Sequence, residues 1–289
     1  MRQPIEEGVP KVRHEAGWFD GPDGLRLFEQ RWLPAAALRA SVVLVHGYAE
    51  HSSRYDHVGR WLVERGYAVH AFDLRGHGKS EGERVLVRSF AQHLDDLDAF
   101  VARARERTPG VPLFVLGHSM GGTIVALRGV TRRADADGVM LSGAVLTMRG
   151  RRTRLMTAVL ALVGRIFPSL PLRKLDAGTV SRDPAVVAAY DADPLVFRGK
   201  MPAGTLSAMV RAVRAIEKRM EEAQGPLLIM HGTEDLLADP EGSRELYRRA
   251  PSGDKTLEMY EGLYHEILNE PEQGQVLADI ARWLDARTG

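Results

Sequence analysis

The chain contains no cysteine, and none of its apolar stretches approaches the length of a membrane span. Without thiols it has no disulfide, no thiolate metal ligand and no cysteine nucleophile. A membrane-spanning helix needs about 20 consecutive apolar residues, so we expect no transmembrane segment. The first 14 residues are polar and lack the apolar core of a signal peptide. We therefore expect a cytoplasmic protein that is soluble or attached peripherally to a membrane.

A strong net charge is also missing, because 39 Lys and Arg residues balance 38 Asp and Glu residues. A net charge of +1 gives no overall field that would attract nucleic acid, and we expect no such partner. No pair of histidines has the spacing of zinc ligands on a helix. We therefore expect neither a metal nor another cofactor, while the oligomeric state stays open.

Short apolar segments predict the framework of the fold. Two predicted strands, 17–20 and 25–31, flank a turn at 21–24. The other predicted strands are uninterrupted apolar runs at 42–45, 68–72, 113–116, 139–141, 227–230 and 257–260. Such runs are typical of strands buried on both faces, and helical patterns separate most of them. The sequence thus predicts an α/β fold with a mostly parallel central sheet flanked by helices, whose chemistry collects at the carboxyl ends of the strands.

The stretch 148–202 interrupts this alternation. It shows no clear strand pattern, and Pro168, Pro171, Pro184 and Pro194 divide it into short helical pieces. We interpret it as a helical cap inserted into a core formed by residues 1–147 and 203–289.

The pattern G-x-S-x-G lies at Gly117, Ser119 and Gly121, between the apolar run 113–116 and a helical stretch from Thr123. This strand–serine–helix order is typical of the nucleophile of α/β-hydrolases. The serine needs a strained turn, and a Cβ two residues to either side would collide with the adjoining strand or helix. The pentapeptide alone also fits an ordinary glycine-rich loop, but its position favours a catalytic serine.

A serine nucleophile needs a base, and the base needs an acid that orients it. In this fold the order along the chain is Ser, Asp or Glu, then His. Asp235 follows the predicted strand 227–230, and His265 follows the strand 257–260. Glu234 and Asp239 are rival acids that could equally be loop or helix-capping residues. The order favours Asp235 as the acid and His265 as the base.

Ester cleavage also requires N–H donors for the tetrahedral oxyanion. The position after the nucleophile makes the backbone N–H of Met120 one donor, and the loop after 42–45 supplies the other at Tyr48. Only the backbone of Tyr48 is required, so its side chain either lines the site or packs. We expect His46 and His118 to orient loops through hydrogen bonds.

The segment Gly78-Lys79-Ser80 is similar to the end of a phosphate-binding loop. The first glycine of that motif would fall at Asp73, so the motif is incomplete. We expect a tight structural turn there.

With these residues in view, nearly the whole chain resembles the monoacylglycerol lipases and their serine-hydrolase relatives of the α/β-hydrolase fold. The similarity is densest at 46–55, 73–82, 117–122 and 258–272, and the sequence around His265 looks like bacterial members. The resemblance implies a triad of Ser119, Asp235 and His265 with oxyanion donors at Tyr48 and Met120. It also places Tyr190, within the similar cap segment 189–195, near the pocket for the glycerol leaving group.

Residues 155–167 of the cap form an apolar helix. Such a helix is usually buried in a core; the functional alternative is a lid that lines an acyl tunnel and rests on a lipid surface. Residues 148–202 contain ten Lys and Arg residues but only four Asp and no Glu, with a basic cluster at 149–154. This excess of positive charge would orient the cap toward an anionic membrane, although it also fits a solvated basic face.

The resemblance implies hydrolysis of monoacylglycerol, a small lipid ester, to fatty acid and glycerol through an acyl-enzyme. The same triad could instead act on a lysophospholipid or a general carboxylic ester, with Arg54 or the cap arginines binding a phosphate. An aminopeptidase is disfavoured, because the cap aspartates stand in turns beside Pro or Gly instead of forming an ammonium site. From another class, an α/β-hydrolase-fold ligand-binding protein with little turnover remains an alternative.

Overall fold

The computed structural model describes residues 12–132, 135–148 and 154–288 of the chain. Its strands form one large and one small sheet. In chain order they are β1 (Arg13–Asp20), β2 (Arg26–Leu33), β3 (Ala40–Val45), β4 (Tyr67–Phe72), β5 (Leu113–His118), β6 (Gly138–Ser142), β7 (Pro171–Lys174), β8 (Lys200–Pro202), β9 (Leu227–Gly232) and β10 (Lys255–Tyr260).

The large sheet has eight strands in the order β1-β2-β4-β3-β5-β6-β9-β10. Strand β2 pairs antiparallel with β1 and β4, whereas the other pairings are parallel. The predicted mostly parallel sheet is therefore confirmed, and each of the eight predicted strands belongs to it.

Helices cover both faces of this sheet. They are α1 (Asp56–Val63), α2 (Phe90–Arg107), α3 (Met120–Thr131), α4 (Arg154–Ile166), α5 (Pro184–Ala192), α6 (Ala203–Arg219), α7 (Pro240–Arg249) and α8 (Gln273–Thr288). Within the described ranges, no helix is both long and apolar enough to cross a membrane.

Strand β3 shows why the apolar runs are uninterrupted. Val43 and Val45 belong to the core formed with α2, α3 and α6, whereas Val42 and Leu44 belong to the core formed with α1 and α8. Successive side chains on a strand point to opposite faces, so a strand between two helix layers is apolar at every position.

The stretch between β6 and α6 contains two strands that the sequence did not predict. Strands β7 and β8 form a small antiparallel sheet, so the expectation of no strand in 148–202 was wrong. They have only four and three residues, β7 is exposed throughout and each strand contains a proline. Strands this short lack the apolar alternation by which strands are recognised.

The apolar cap helix is α4, and it is not buried on all sides. One face packs on α6, where Gly164 lies against Ala203 and Ser207. Val159, Leu162 and other apolar side chains on the opposite face are exposed. The interpretation of a core-buried helix was therefore wrong, because the described residues that pack on α4 leave the apolar side chains of its other face exposed. The side chains of the basic cluster at 149–154 lie outside the described residues.

The glycine-rich stretch after β4 is a closed turn, as expected. The Asp73 carboxylate accepts hydrogen bonds from the backbone N–H groups of Ser52 and Lys79, both at 2.8 Å. Gly76 and Gly78 have φ values of 71° and 50°, a region that glycine adopts without steric cost. An aspartate thus occupies the centre of this loop, where a phosphate would need donors.

Candidate active site

Ser119 lies at the sharp turn between β5 and α3 with φ 52° and ψ −117°. This conformation is costly for a residue with a side chain, and such strain is found mainly at functional sites. A Cβ on Gly121 would lie 2.5 Å from the carbonyl oxygen of His46, and one on Gly117 would lie 2.6 Å from that of Gly121. The expected collision of a Cβ at either glycine is confirmed, so both glycines are required for the turn.

Loops after β9 and β10 bring Asp235 and His265 to this turn. The Nε2 atom of His265 lies 2.8 Å from the Ser119 Oγ, and its Nδ1 atom lies 2.6 Å from the Asp235 Oδ2. Because a carboxylate can only accept, Nδ1 carries the proton and Nε2 is free to accept from the serine hydroxyl. In this tautomer His265 can remove the proton of Ser119.

The Asp235 carboxylate is fully buried and heavily hydrogen-bonded. Its Oδ1 accepts from the N–H groups of Leu237 and Ala238, at 2.7 and 2.9 Å, and its Oδ2 also lies 3.0 Å from Nε2 of His231. Burial raises the pKa of Asp235, but the charge of His265 and the hydrogen bonds from both histidines outweigh burial and hold the pKa well below its usual range. Asp235 is therefore ionised at neutral pH.

The pKa of His265 moves the other way. Burial lowers it, but the charge of Asp235 and the hydrogen bond to it outweigh burial, so the pKa is raised above its usual value. A base whose pKa lies near the working pH is efficient in general base catalysis.

The two rival acids, Glu234 and Asp239, have surroundings that differ from those of Asp235. The Glu234 side chain is exposed, although the backbone N–H of Glu234 donates to the carbonyl of Leu263. Asp239 caps the N-terminus of α7 by accepting from the N–H of Glu241 at 3.1 Å. Asp235 is the candidate whose carboxylate lies within hydrogen-bonding distance of His265, 2.6 Å from its Nδ1 atom.

The loop after β3, residues 46–51, passes directly beside the serine, and we call it the β3 loop. A Cβ on Gly47 would lie 3.1 Å from the Cβ of Ser119. Tyr48 follows Gly47, and Met120 opens helix α3, whose first N–H groups have no partner within the helix. The N–H groups expected to bind an oxyanion therefore belong to two segments that meet at Ser119.

His46 and His118 support these loops, as expected. Nε2 of His46 accepts from the N–H of Leu74 at 2.9 Å, and its Nδ1 lies 2.8 Å from the Gly47 carbonyl. The ring of His118 lies 3.2 Å from the Ser142 hydroxyl through its Nδ1. Burial lowers the pKa of both histidines to about 3, so both are neutral at neutral pH.

A buried ionic cluster joins the β3 loop to the loop that carries His265. Arg54 donates to Glu50 and to both carboxylate oxygens of Glu266, each at 2.7 Å. Glu50 in turn accepts from the N–H of Gly47 at 2.6 Å. The charge of Arg54 is thus neutralised internally, which argues against its role as a phosphate ligand.

Sequence reasoning missed this cluster and His231. Glu50 and Arg54 lie within the conspicuous segment 46–55, and His231 ends β9 four residues before Asp235. Their positions, in that segment and at the end of a strand, were the sequence signals by which these residues could have been found. The partners Arg54 and Glu266 are 212 residues apart, which no local pattern reveals.

Ser119 opens into a cavity with about 1050 Å³ of empty space, solvent at its mouth included. Tyr48, Tyr190 and the Glu50–Glu266 cluster form a polar part of its wall. Tyr190 is buried, with the Arg54 guanidinium 4.8 Å from its ring centroid. The apolar part of the wall consists of Met120, Val145, Met148, Leu175, Val180, Met201, Leu206, Met209, Leu236 and Leu237.

The cavity wall bears on the expectations for α4 and for the Tyr48 side chain. Of the described residues of α4, none lines it, so the prediction that this helix lines an acyl tunnel was wrong: α6 and the segments beside it form that wall. The Tyr48 side chain both lines and packs, since it borders the cavity while its ring meets His77 edge-on at 5.9 Å.

Comparison with known proteins finds a matching family model and similar monoacylglycerol and monoglyceride lipases. A family model described as serine aminopeptidase, S33, matches residues 36–272. The monoacylglycerol lipase of Mycolicibacterium smegmatis is 42% identical over 266 residues, which are 92% of this chain and 95% of that protein. The crystal structure of Paleococcus ferrophilus monoacylglycerol lipase superposes with a TM-score of 0.79 at 32% identity, covering 96% of this chain and 99% of that one. A soluble variant of Saccharomyces cerevisiae monoglyceride lipase, in complex with a substrate analog, gives a TM-score of 0.82 at 26% identity, covering 99% and 98%.

Proposed function

Because the chain belongs to the monoacylglycerol lipase family of the α/β-hydrolase superfamily, we propose that it hydrolyses monoacylglycerol to fatty acid and glycerol. In this proposal Ser119 is the nucleophile, His265 the general base and Asp235 the acid that orients it. The observation that carries the proposal is the pair of hydrogen bonds that runs from the Ser119 hydroxyl through His265 to the buried Asp235.

Acylation begins when the Ser119 Oγ attacks the ester carbonyl and its proton passes to Nε2 of His265. The N–H groups of Tyr48 and Met120 bind the oxyanion that forms, and each such donor contributes about 3–4 kcal/mol in comparable enzymes. His265 then gives its proton to the departing glycerol oxygen, which leaves the acyl group on Ser119. A water molecule deprotonated by the same histidine attacks the acyl-enzyme and releases the fatty acid.

The wall of the cavity supports an ester with one long apolar part and a small polar alcohol. Its methionine, leucine and valine side chains fit an acyl chain. The hydroxyl of Tyr190 and the carboxylates of Glu50 and Glu266 border the same space and offer hydrogen bonds to glycerol hydroxyls. We therefore place the glycerol beside Tyr190.

The carboxylates of the cap region do not favour an aminopeptidase, although the family model carries that description. Asp176 and Asp183 cap short helices, and Asp193 binds His51. An α-ammonium group would need a carboxylate inside the cavity whose charge is not already balanced, whereas Glu50 and Glu266 on its wall are paired with Arg54 and Asp239 caps α7. These engaged side chains therefore argue for ester over peptide substrates.

We further propose that residues 148–202 form a cap on the hydrolase core and that the cap rests on a lipid surface. Seven apolar side chains of this segment are between 39% and 62% exposed: Met156, Val159, Leu162, Ile166, Phe167, Leu170 and Leu172. We call them the apolar cap face. Monomeric soluble proteins seldom expose so many neighbouring apolar groups without a binding role.

Basic side chains accompany this face. Arg165, Arg173, Lys174 and Lys200 are exposed on the same segment. Each basic residue near an anionic membrane contributes up to about 1 kcal/mol to binding. The combination favours peripheral attachment, with monoacylglycerol entering from the lipid layer.

A substrate profile tests the reaction. We expect kcat/KM for monoacylglycerols to exceed that for lysophospholipids, triacylglycerols and p-nitrophenyl esters by tenfold or more, equal to about 1.4 kcal/mol. A flat profile, or a preference for lysophospholipids, would remove the substrate named here. The Ser119→Ala variant should lose turnover and fluorophosphonate labelling with an unchanged unfolding midpoint, whereas a wild-type protein that the probe does not label would be a ligand-binding protein.

Co-sedimentation with phosphatidylglycerol vesicles tests the lipid surface. The double variant Leu162→Gln/Phe167→Gln should lose vesicle binding but keep its activity on soluble p-nitrophenyl acetate. The matched control is Trp18→Gln, which removes an exposed aromatic residue from β1. Equal binding by wild type and the double variant would contradict the role of the apolar cap face.

A further inference from the structure

Hydrogen bonds join the β3 loop to the segment 193–197, which lies between α5 and β8. The N–H of Phe197 donates to the carbonyl of Ala49 at 2.8 Å. The Nε2 atom of His51 and the Oδ2 atom of Asp193 are also 2.8 Å apart. The loop that carries the Tyr48 N–H is thus fastened to this segment on both sides of Glu50.

Asp193 is itself held in place. Its Oδ1 accepts from the N–H of Leu195 at 2.8 Å, and its backbone carbonyl accepts from Arg198 at 2.7 Å. Burial raises its pKa, but the hydrogen bond and charge of His51 outweigh burial and lower the pKa below its usual value. The carboxylate is therefore a fixed anchor for His51 at neutral pH.

The anchored loop contains a strained residue. Ala49 has φ 69°, a left-handed conformation that costs a residue with a Cβ about 1–2 kcal/mol. Such a conformation persists only where the surroundings hold it. Relaxation at Ala49 would rotate the Tyr48–Ala49 peptide. Through Tyr48 it would also shift the preceding peptide, between Gly47 and Tyr48, which carries the Tyr48 N–H.

Other contacts hold this loop from the core side. Glu50 binds the N–H of Gly47, and His46 binds the N–H of Leu74. The bond of His46 fixes the start of the loop, and that of Glu50 ties residue 50 back to residue 47 across the strained residue. Phe197 binds Ala49 and Asp193 binds the His51 ring, while the N–H of Arg54 donates to the His51 carbonyl at 3.3 Å.

We infer that Asp193 is a positioning residue for the oxyanion site: through His51, and together with the Phe197 N–H, it holds Ala49 in its strained conformation and so aims the N–H of Tyr48. This inference rests on the proposed esterase function. Among the described residues, neither Asp193 nor His51 lines the cavity at Ser119. Their effect therefore reaches the substrate through the loop and falls on the transition state, where the oxyanion is formed.

Steady-state kinetics on p-nitrophenyl acetate test the inference, because this small ester makes little use of the acyl cavity. Asp193→Ala should lower kcat at least tenfold and change KM less than twofold. Asp193→Asn, which keeps an acceptor for Leu195 and a polar atom toward His51, should recover most of the rate. The control Asp191→Ala removes an exposed carboxylate two residues away and should match wild type.

Binding of a trifluoromethyl ketone separates positioning from general damage. The Ser119 Oγ adds to the ketone carbon, its proton passes to His265, and the resulting oxyanion needs the same N–H donors as the ester intermediate. Its affinity should fall in parallel with kcat in Asp193→Ala. Active enzyme is counted by complete titration with a fluorophosphonate, so unfolded protein does not enter the rates.

The variant Ala49→Gly provides a second, independent test. Glycine adopts φ 69° without steric cost, so the loop no longer gains by relaxing. The loss caused by Asp193→Ala should shrink at least threefold in the Ala49→Gly background. An undiminished loss there, or full kcat and ketone affinity in Asp193→Ala, would overturn the inference. The esterase proposal fails separately, if wild type does not cleave esters or Ser119→Ala still does.

Discussion

His231 donates a hydrogen bond from Nε2 to the Oδ2 atom of Asp235, at 3.0 Å. The same oxygen receives the bond from His265, so one buried carboxylate oxygen serves two histidines. The Ser243 hydroxyl lies 2.7 Å from Nδ1 of His231 and fixes its ring. His231 therefore competes for the charge that Asp235 presents to the proposed base.

Removal of this competing donor should change the pH dependence of catalysis. In His231→Leu the Asp235 carboxylate loses a hydrogen bond and interacts more strongly with His265. The pKa of His265, already raised, rises further, so the acid limb of kcat/KM should move to higher pH by roughly half a unit or more. The measurement is the pH profile of kcat/KM on a p-nitrophenyl ester.

The matched variant is His231→Gln, whose amide can still donate to Asp235. In wild type and in His231→Gln, the acid limb of the kcat/KM profile should lie above pH 6.5, since the pKa of His265 is raised from its usual value of 6.5. Superimposable profiles for the Leu and Gln variants would show that the His231 bond has no influence on the base.

The sequence was sufficient to predict the central sheet and a set of site candidates, because both leave local signals. Gly117, Ser119 and Gly121 form a short motif between a strand and a helix, and Asp235 and His265 each follow an apolar run. Every one of these signals spans only a few residues.

The features that were missed depend on distant pairs or on very few residues. His51 and Asp193 are 142 residues apart, so their contact follows from the whole fold. The sheet of β7 and β8 has few residues, and β7 is exposed at every position. The position of α4 was also misjudged, since its apolar character does not distinguish a core neighbour from an exposed face.

Two glycines of α3 should respond in opposite ways to alanine. In Gly121→Ala the new Cβ meets the Val45 and His46 carbonyl oxygens, which must move away together with the β3 loop. We expect a loss of about 1–3 kcal/mol in unfolding free energy and a lower kcat. Urea denaturation and ester kinetics measure the two effects.

Gly129→Ala is the control in the same helix, because in the described part of the chain no atom beyond the adjacent helix backbone lies within 4 Å of the added Cβ. Alanine should stabilise the protein there by about 0.5–1 kcal/mol and leave kcat unchanged. If Gly121→Ala were as stable and as active as Gly129→Ala, the close approach of α3 to the end of β3 would not affect stability or catalysis.

Arg54→Met should destabilise the protein by about 3–5 kcal/mol at pH 7.5, because it strands the buried carboxylates of Glu50 and Glu266. Burial raises the pKa of Glu266, yet in wild type the charge and hydrogen bonds of Arg54 lower it below its usual value. In the variant that pKa rises instead. A group with a raised folded-state pKa loses stability as the pH increases, so the deficit should be smaller at pH 5 than at pH 7.5.

The control is Arg60→Met, which removes the exposed partner of Asp56 in α1. An exposed pair at this spacing contributes only about 0.5 kcal/mol. Urea unfolding of wild type and both variants at both pH values gives the free energies needed. A loss in Arg54→Met no larger than that in Arg60→Met would contradict an energetic role for the buried cluster.

His93 of α2 is fully buried, and neither ring nitrogen has a hydrogen-bond partner within the described part of the chain. An unsatisfied buried polar group costs about 1–3 kcal/mol. His93→Leu should therefore raise the unfolding free energy at pH 7.5. The expected gain is largest if leucine fills the space beside Phe90, whose ring lies 5.8 Å away, edge-on.

This gain should grow as the pH falls. Burial, with the nearby charges of His77 and Arg75, holds the pKa of His93 well below its usual value. Above pH 6.5 the His93 imidazole is neutral in both the folded and the unfolded protein. Below that pH only the unfolded protein takes up the proton, so the free energy of unfolding falls by about 1.4 kcal/mol per pH unit. At pH 5 the advantage of His93→Leu should thus exceed that at pH 7.5 by about 2 kcal/mol. The control is His93→Asn, which retains a buried polar group but cannot titrate. Its stability relative to wild type should rise by the same amount between pH 7.5 and pH 5, without the gain at pH 7.5. A pH-independent difference between His93→Leu and wild type would mean that His93 is protonated in the folded protein.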